Sequence, residues 1–331
     1  MFVVVMDKAT VFVFVTVIFS VTNADLKSGK APTISLSDGF EIPLLGLGTS
    51  VRDGDPDDIR TAVELAIEAG YRHFDTAARY GTEGVVGQAV RAKVEDGTIH
   101  RPDVFITTKL WNNNHRREQV IPALRQSLEK LATDYVDLYL VHTPISLHEN
   151  GEYSHTDFVD TWKGMEEVHR LGLARSIGVS NFNETQLIKL LAACTIKPVV
   201  NQIEVNPHLT QKKLIGFCGE RGIQVVAYSP LGSMPESRFK LNNRPPKRPP
   251  LIDDPIITQI GNRYNKTTVQ ITLRYLLDSD LIPIPKAVTP THIRQNIDVF
   301  DFKLTPEEIE KIDSFNLDYR IVNPKEWYCQ G

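Results

Sequence analysis

A chain of 331 residues, 41% hydrophobic and 24% charged with a formal net charge of −4, is long enough for one large core and typical of a single α/β barrel. The slight acidic balance gives no basic surface for nucleic acid, so no nucleic-acid partner is expected. Three cysteines, Cys194, Cys218 and Cys329, are far apart, odd in number and without metal-ligand spacing, which implies neither a disulfide framework nor a metal centre.

In chain order, the first feature is Ala9 to Val21, an uncharged run preceded by Met6-Asp7-Lys8 and followed by Thr22-Asn23-Ala24. It is too short to span a bilayer comfortably as a helix, but it suits the apolar core of a secretory signal with small residues at the cleavage site. The expectation is a signal peptide over 1–24, a single domain over 25–331, a secreted protein and no stable membrane insertion. If the segment is not a functional signal, the protein stays in the cytoplasm. In the secretory pathway Asn183 and Asn265 would be glycosylation acceptors by their N-x-[S/T] spacing, although Asn183 also reads as the N-cap of a helix starting at Glu184.

A hairpin follows, Thr33 to Leu36 turning through Ser37-Asp38-Gly39 into Phe40 to Pro43. Strand and helix patterns then alternate. Helices are expected near 56–69, 83–95, 117–131, 158–171, 184–193 and 211–221; strands end at Asp75, Lys109 and His142 and run over 174–179, 199–204, 224–228 and 281–285. A proline-rich basic stretch, 233–250, reads as a loop over the mouth, and Thr305-Pro306 opens a closing helix with Glu308 at its third position. Repeated βα units with continuously apolar strands are the pattern of a parallel sheet, and eight of them close a (β/α)8 barrel. In such a barrel the C-terminal ends of the strands form the active-site face, so three successive strands ending on titratable residues mark a site.

Asp75, Tyr80, Lys109 and His142 stand in the order and spacing of a catalytic tetrad, accompanied by GLGT (46–49), DTAARYG (75–81), TKLW (108–111), GVSNF (178–182), NQIEVNP (201–207), YSPLG (228–232) and PKAVTP (285–290). Together these segments, spread from about Thr33 to Tyr319, resemble the aldo-keto reductases, of the aldose and aldehyde reductase type. The resemblance implies a TIM barrel whose lower end the hairpin plugs, and NADPH-dependent reduction of an aldehyde or ketone. It also implies a monomer whose partner is a small carbonyl substrate.

The nicotinamide cofactor that the resemblance implies must be held without a Rossmann fingerprint: Gly46-Leu47-Gly48 is followed by Thr49, Ser50 and Val51, so no G-x-G-x-x-G exists there. Thr289-Pro290 instead opens a helix whose positive end, with the backbone of Ala287, Val288 and Thr289 and the charge of Lys286, faces an anion. By resemblance this is the adenosine 2′-phosphate site of NADPH, with Gln295 and Asn296 near the adenine. His292 stands where the family commonly has Arg, a weaker and pH-dependent phosphate ligand that narrows the margin over NADH. The resemblance places Ser180, Asn181 and Gln202 on the nicotinamide carboxamide, Tyr228 under its ring, and Gly48, Thr49, Asp75, Ser229 and Leu231 beside the cofactor.

A carbonyl receiving hydride becomes an alkoxide and needs a proton donor within hydrogen-bond reach. Tyr80 is expected to be that donor, with the Lys109 ammonium favouring its phenolate, Asp75 pairing Lys109, and a neutral His142 orienting the carbonyl. Trp111 is retained for the substrate pocket, but Ser50 and Thr143 stand where the aldose reductase branch has Trp. Two lost indoles should widen the pocket for a bulkier ketone such as a steroid, and the insect 3-dehydroecdysteroid reductases are a family precedent for a secreted enzyme of this kind. Trp327 and Tyr328 are expected in a tail over the mouth. The alternative is a non-catalytic cofactor-binding barrel with a structural or channel-accessory role, which loss of Tyr80 or Lys109 would have favoured.

Overall fold

The structure, a computed structural model, describes residues 30–51, 55–232 and 250–322. The expected signal at 1–24, most of the loop expected at 233–250, the tail bearing Trp327 and Tyr328, and Cys329 fall outside the described residues. Among the described residues no helix is long and apolar enough to cross a membrane.

A two-stranded hairpin comes first, β1 (Thr33–Ser35) and β2 (Glu41–Pro43), with Ile34 opposite Ile42. Eight parallel strands follow: β3 (Leu47–Gly48), β4 (His73–Asp75), β5 (Phe105–Leu110), β6 (Val136–Val141), β7 (Ala174–Ser180), β8 (Val200–Glu204), β9 (Gln224–Tyr228) and β10 (Ile282–Pro283). Each pairs with its successor in the chain, so sheet order equals sequence order. The first and last strands are joined by Gly46 N–H to Pro283 O and Gly48 N–H to Pro285 O, both 3.1 Å. Those two bonds bring the sheet round on itself, as a parallel barrel requires. Gly48 is needed where the last strand crosses it, because a Cβ there would lie 2.9 Å from the Ile284 carbonyl oxygen.

Side chains alternate across each strand, and the inward set decides both core and site. Phe105, Leu138, Leu140, Val200, Val226 and Ile282 fill the barrel, closed from below by Ile42 and Leu44 of the hairpin. The Ser176 hydroxyl in the lumen donates to Asp38 in the hairpin turn at 2.7 Å, a polar tie between plug and barrel. One layer higher the inward positions become polar: Thr107 and Lys109 on β5, Ser180 on β7, Gln202 and Glu204 on β8 are all buried.

Helices pack outside: α1 (Pro56–Glu68), α2 (Glu83–Glu95), α3 (Arg117–Leu131), α4 (Phe158–Arg170), α5 (Glu184–Ala193), α6 (Lys212–Gly219), α7 (Pro255–Tyr264), α8 (Thr268–Asp278), α9 (Pro290–Ile297) and α10 (Pro306–Asp313). Eight of them match expected helices closely. Helices α7 and α8 were not anticipated, although each announces itself chemically. Asp254 caps α7 by accepting from Ile256 and Ile257 N–H ahead of Pro255, and Thr267 with Gln270 forms a reciprocal capping box on α8. Asn265, a candidate glycosylation acceptor, is the left-handed residue that ends α7, and Asn183 caps α5.

Ile42 is fully buried between plug and barrel. Ile42→Ala should cost about 2–5 kcal/mol, read as a lower denaturation midpoint with an unchanged slope. A loss under about 0.5 kcal/mol, the usual size for a surface position, would show that the hairpin does not carry the lower core.

Candidate active site

The ends of β4 and β5 bring the charged pair together. Lys109 has no exposed surface, and its ammonium donates to Asp75 Oδ1 at 2.5 Å, to the Thr76 carbonyl at 2.9 Å and to Tyr80 Oη at 3.3 Å. All three donor hydrogens of the ammonium are thus used. Burial pulls the Lys109 pKa down, but the Asp75 carboxylate and the Tyr80 oxygen outweigh it, and the group is held above its ordinary value. The other Asp75 oxygen, Oδ2, accepts from Gln202 Nε2 at 2.7 Å. A lone buried carboxylate or ammonium would be very costly; here each oxygen and each N–H has a partner.

Tyr80 closes a short 3-10 turn, Ala78–Tyr80, whose exit is left-handed Gly81 (φ 72°), so the chain doubles back and leaves the half-buried phenol over Lys109. His142, the residue after β6, stands edge-on to Tyr80 with ring centroids 5.6 Å apart, and edge-on to Trp111 at 5.1 Å. Burial, reinforced by the nearby charges of Lys109 and Arg79, holds the His142 pKa well below the usual imidazole range. That shift favours the neutral ring. The Arg79 guanidinium lies over the Trp111 ring, 5.4 Å from its centroid.

The residues assigned to nicotinamide form a hydrogen-bonded bridge to this cluster. Asn181 sits at φ 65°, a left-handed conformation that costs a non-glycine residue energy and concentrates at functional sites. Its amide nitrogen donates to the His142 carbonyl at 2.9 Å, and its Oδ1 accepts from Tyr228 Oη at 2.8 Å. Ser180 Oγ donates to the Gln202 carbonyl at 2.8 Å. Thr49 Oγ1 donates to the Asp75 carbonyl at 2.9 Å and lies 3.2 Å from Thr82 Oγ1. Ser229 is also left-handed (φ 47°) and starts the turn containing half-buried Leu231, with Gly232 N–H on its carbonyl.

The far end of the expected cofactor path is built at α9. Thr289 caps it by accepting from His292 N–H, and Lys286, Val288, Thr289 and His292 are exposed while Ala287 and Asn296 are buried and Gln295 is half-buried. Tyr71 Oη donates to the Ile293 carbonyl at 3.2 Å, fixing the helix against the barrel wall. An uncovered helix N-terminus beside a lysine and an imidazole fits a phosphate by charge and by donor geometry.

Thr143 departs from the expected pocket lining. It has no exposed surface, and its hydroxyl donates to Asn112 Oδ1 at 3.0 Å while accepting from Ile145 N–H at 3.2 Å. It braces the turn after Trp111 from behind. Ser50 and Trp111 are half-buried at the strand ends and remain available to a wall. Sequence reasoning also missed Thr76, Arg79 and His115. His115 is buried with neither ring nitrogen hydrogen-bonded within the protein, and burial pushes its pKa down to about 3.

The geometry defines a parallel barrel with a charge-backed phenol and a neutral imidazole facing one mouth. The aldo/keto reductase family model matches residues 44–317. Aldo-keto reductase AKR2E4 of Bombyx mori is 48% identical over 302 residues, covering 90% of this chain and 96% of that protein. Its crystal structure in complex with NADP superposes with a TM-score of 0.86 at 47% identity over 90% of this chain and 97% of that one. Mouse estradiol 17 beta-dehydrogenase 5 is 42% identical, covering 89% and 94%. The chain belongs to the aldo/keto reductase family, and its fold and class of chemistry, an oxidoreductase, follow from that membership.

His115 yields a pH prediction. The folded imidazole stays neutral to about 3, whereas an unfolded one takes up a proton below about 6.5. The unfolded state binds more protons in that window, so His115 costs stability as pH falls from about 6.5 towards 3. His115→Leu should flatten the acid side of a midpoint-versus-pH curve; an unchanged slope between pH 7 and 4 would contradict it.

Proposed function

We propose that this protein reduces an aldehyde or ketone to an alcohol with NADPH, and that Tyr80 is the proton donor. The observation that carries the reading is the shared ammonium: one buried Lys109 Nζ reaches both Asp75 Oδ1 (2.5 Å) and Tyr80 Oη (3.3 Å). Bound nicotinamide supplies the hydride to the carbonyl carbon. The chain's own residues then handle the charge left on oxygen. Tyr80 donates its proton to the forming alkoxide, and the adjacent Lys109 ammonium stabilises the phenolate left behind. Asp75 and Gln202 keep Lys109 from moving towards the substrate. Neutral His142 orients the carbonyl by hydrogen bonding without competing as an acid. Ser180, Asn181, Gln202 and Tyr228 would hold the nicotinamide end, with Gly48, Thr49, Ser229 and Leu231 alongside. Lys286, Ala287, Val288, Thr289 and His292 would take the 2′-phosphate, and Gln295 and Asn296 the adenine.

The substrate is proposed to be a bulky ketone of steroid type. Two things support it: Ser50 in place of an indole at the mouth, and 42% identity to an enzyme named for estradiol. We also propose that residues 1–24 are a secretory signal and that the mature enzyme is a secreted monomer, which N-terminal sequencing and light scattering of the exported protein would check.

The decisive assay follows NADPH absorbance with a panel of aldehydes, sugars and ketosteroids. Tyr80→Phe, which removes one oxygen, should lower kcat by about 10²–10⁴-fold while the Kd for NADPH stays within about twofold. A loss below tenfold would remove Tyr80 from its role, and no oxidation with any carbonyl despite tight NADPH binding would favour the non-catalytic alternative. Lys109→Met should lose activity and also about 3–5 kcal/mol of stability, because Asp75 is left buried and unpaired. Lys286→Met should raise the KM for NADPH far more than that for NADH, and His292→Arg should lower it, because a guanidinium holds a phosphate by two hydrogen bonds. Equal effects on both cofactors would contradict the phosphate assignment.

A further inference from the structure

One buried acid at the mouth takes no part in the chemistry above. Glu204, the last residue of β8, has no exposed surface. It faces the barrel's inner side one layer above Gln202, on the same rung as Tyr228. Burial pushes its carboxyl up to about 7, against the pull of the Ile321 and Val322 N–H groups, Arg320 and Asn206. A carboxylate in such a place is expensive unless its oxygens are satisfied, and both of them are satisfied by the C-terminal segment. Ile321 N–H donates to Oε1 at 2.8 Å and Val322 N–H to Oε2 at 3.0 Å.

The rest of that segment runs along the loop that follows β8. The Asn316 side chain accepts from Thr210 N–H at 3.1 Å, Leu317 and Tyr319 N–H both donate to the His208 carbonyl at 3.0 and 3.2 Å, and Arg320 donates to Gln211 Oε1 at 2.8 Å. Gln211 in turn donates to the Glu204 carbonyl. Residues 316–322 are thus a strap laid over the β8 loop and bolted at its far end to Glu204. The bolt sits beside Tyr228, and Tyr228 is hydrogen-bonded through Asn181 to the His142 backbone.

We infer that Glu204 is a positioning residue for substrate selectivity: it anchors residues 321 and 322 as a fixed part of the pocket rim, and through that strap sets how tightly a wide ketone is held. An apolar side chain would fill the same space at lower cost, but it could not bind two adjacent backbone N–H groups. The inference rests on the reading of this mouth as a carbonyl-reducing site.

The test compares Glu204→Ala, Glu204→Gln and Val322→Pro with wild type at saturating NADPH. Glu204→Ala should raise the KM for a ketosteroid by at least about tenfold while kcat for a small aromatic aldehyde and the Kd for NADPH stay within about twofold. Glu204→Gln, which keeps the volume and one acceptor, should recover part of the loss. Val322→Pro removes one donor from the bolt and should reproduce the ketosteroid effect, and the double variant should add little to either single one. Amide hydrogen exchange provides a readout independent of activity: Leu317 to Val322 should lose protection in Glu204→Ala while β8 and β9 keep theirs. Parallel losses for both substrates with weakened NADPH binding, full additivity in the double variant, or unchanged exchange of the strap would each overturn the inference. Inactivity of the wild type towards every carbonyl, with the exchange result intact, would leave the strap and sink only the functional reading.

Discussion

The site depends on an ammonium kept charged without contact with water. Lys109 has no exposed surface, and its charge is tolerated because Asp75, Thr76 and Tyr80 take its three donor hydrogens. Removing both members of such a pair for apolar groups is often neutral for stability, so the pair is not there to hold the barrel together. What it provides is a positive charge fixed against a phenol oxygen, in surroundings where charge is felt strongly. The barrel makes this arrangement rigid. Asp75 ends β4 and Lys109 is the penultimate residue of β5, its neighbour in fixed register, and Gln202, from the other side of the lumen, locks the second carboxylate oxygen.

The same logic of layers explains why the lower barrel is apolar and the upper one polar. Inward positions pass from Phe105 through Thr107 to Lys109 along β5, and from Val200 through Gln202 to Glu204 along β8. Each step up the strand moves two residues and one layer towards the mouth. Stability is concentrated below, where the hairpin supplies Ile42 and Leu44, and chemistry above, where buried polar groups bond to one another. Strain is placed there too, at Asn181 and Ser229, two left-handed residues of which the first is hydrogen-bonded to Tyr228 and the second follows it in the chain.

Much of this was legible in the sequence, for identifiable reasons. Asp75 ends its strand, and Lys109 and His142 each stand within one residue of a strand end; an apolar run closed by a titratable residue is a local signal. Helices α7 and α8 are less legible, because they follow a proline-rich stretch and their start signals lie in single capping side chains, Asp254 and Thr267. The first barrel strand, Leu47–Gly48, is two residues long and has no periodicity to read. Thr143 illustrates a different limit. Its place after His142 is a matter of sequence, but its direction is set by Asn112, 31 residues away. Glu204 is harder still, since its partners lie 117 and 118 residues further on and backbone N–H groups leave no signature in side-chain chemistry.

The central claim is that the proton reaching the alkoxide comes from Tyr80. It is tested most directly by single-turnover reduction of one aldehyde as a function of pH, in wild type and Tyr80→Phe, with NADPH already bound. The account predicts that the wild-type rate falls with rising pH through one ionisation, and that Tyr80→Phe keeps only a slow residual rate from which that limb is missing. An identical alkaline limb in both proteins would mean that the proton comes from another group, and the arrangement around Lys109 would need another purpose.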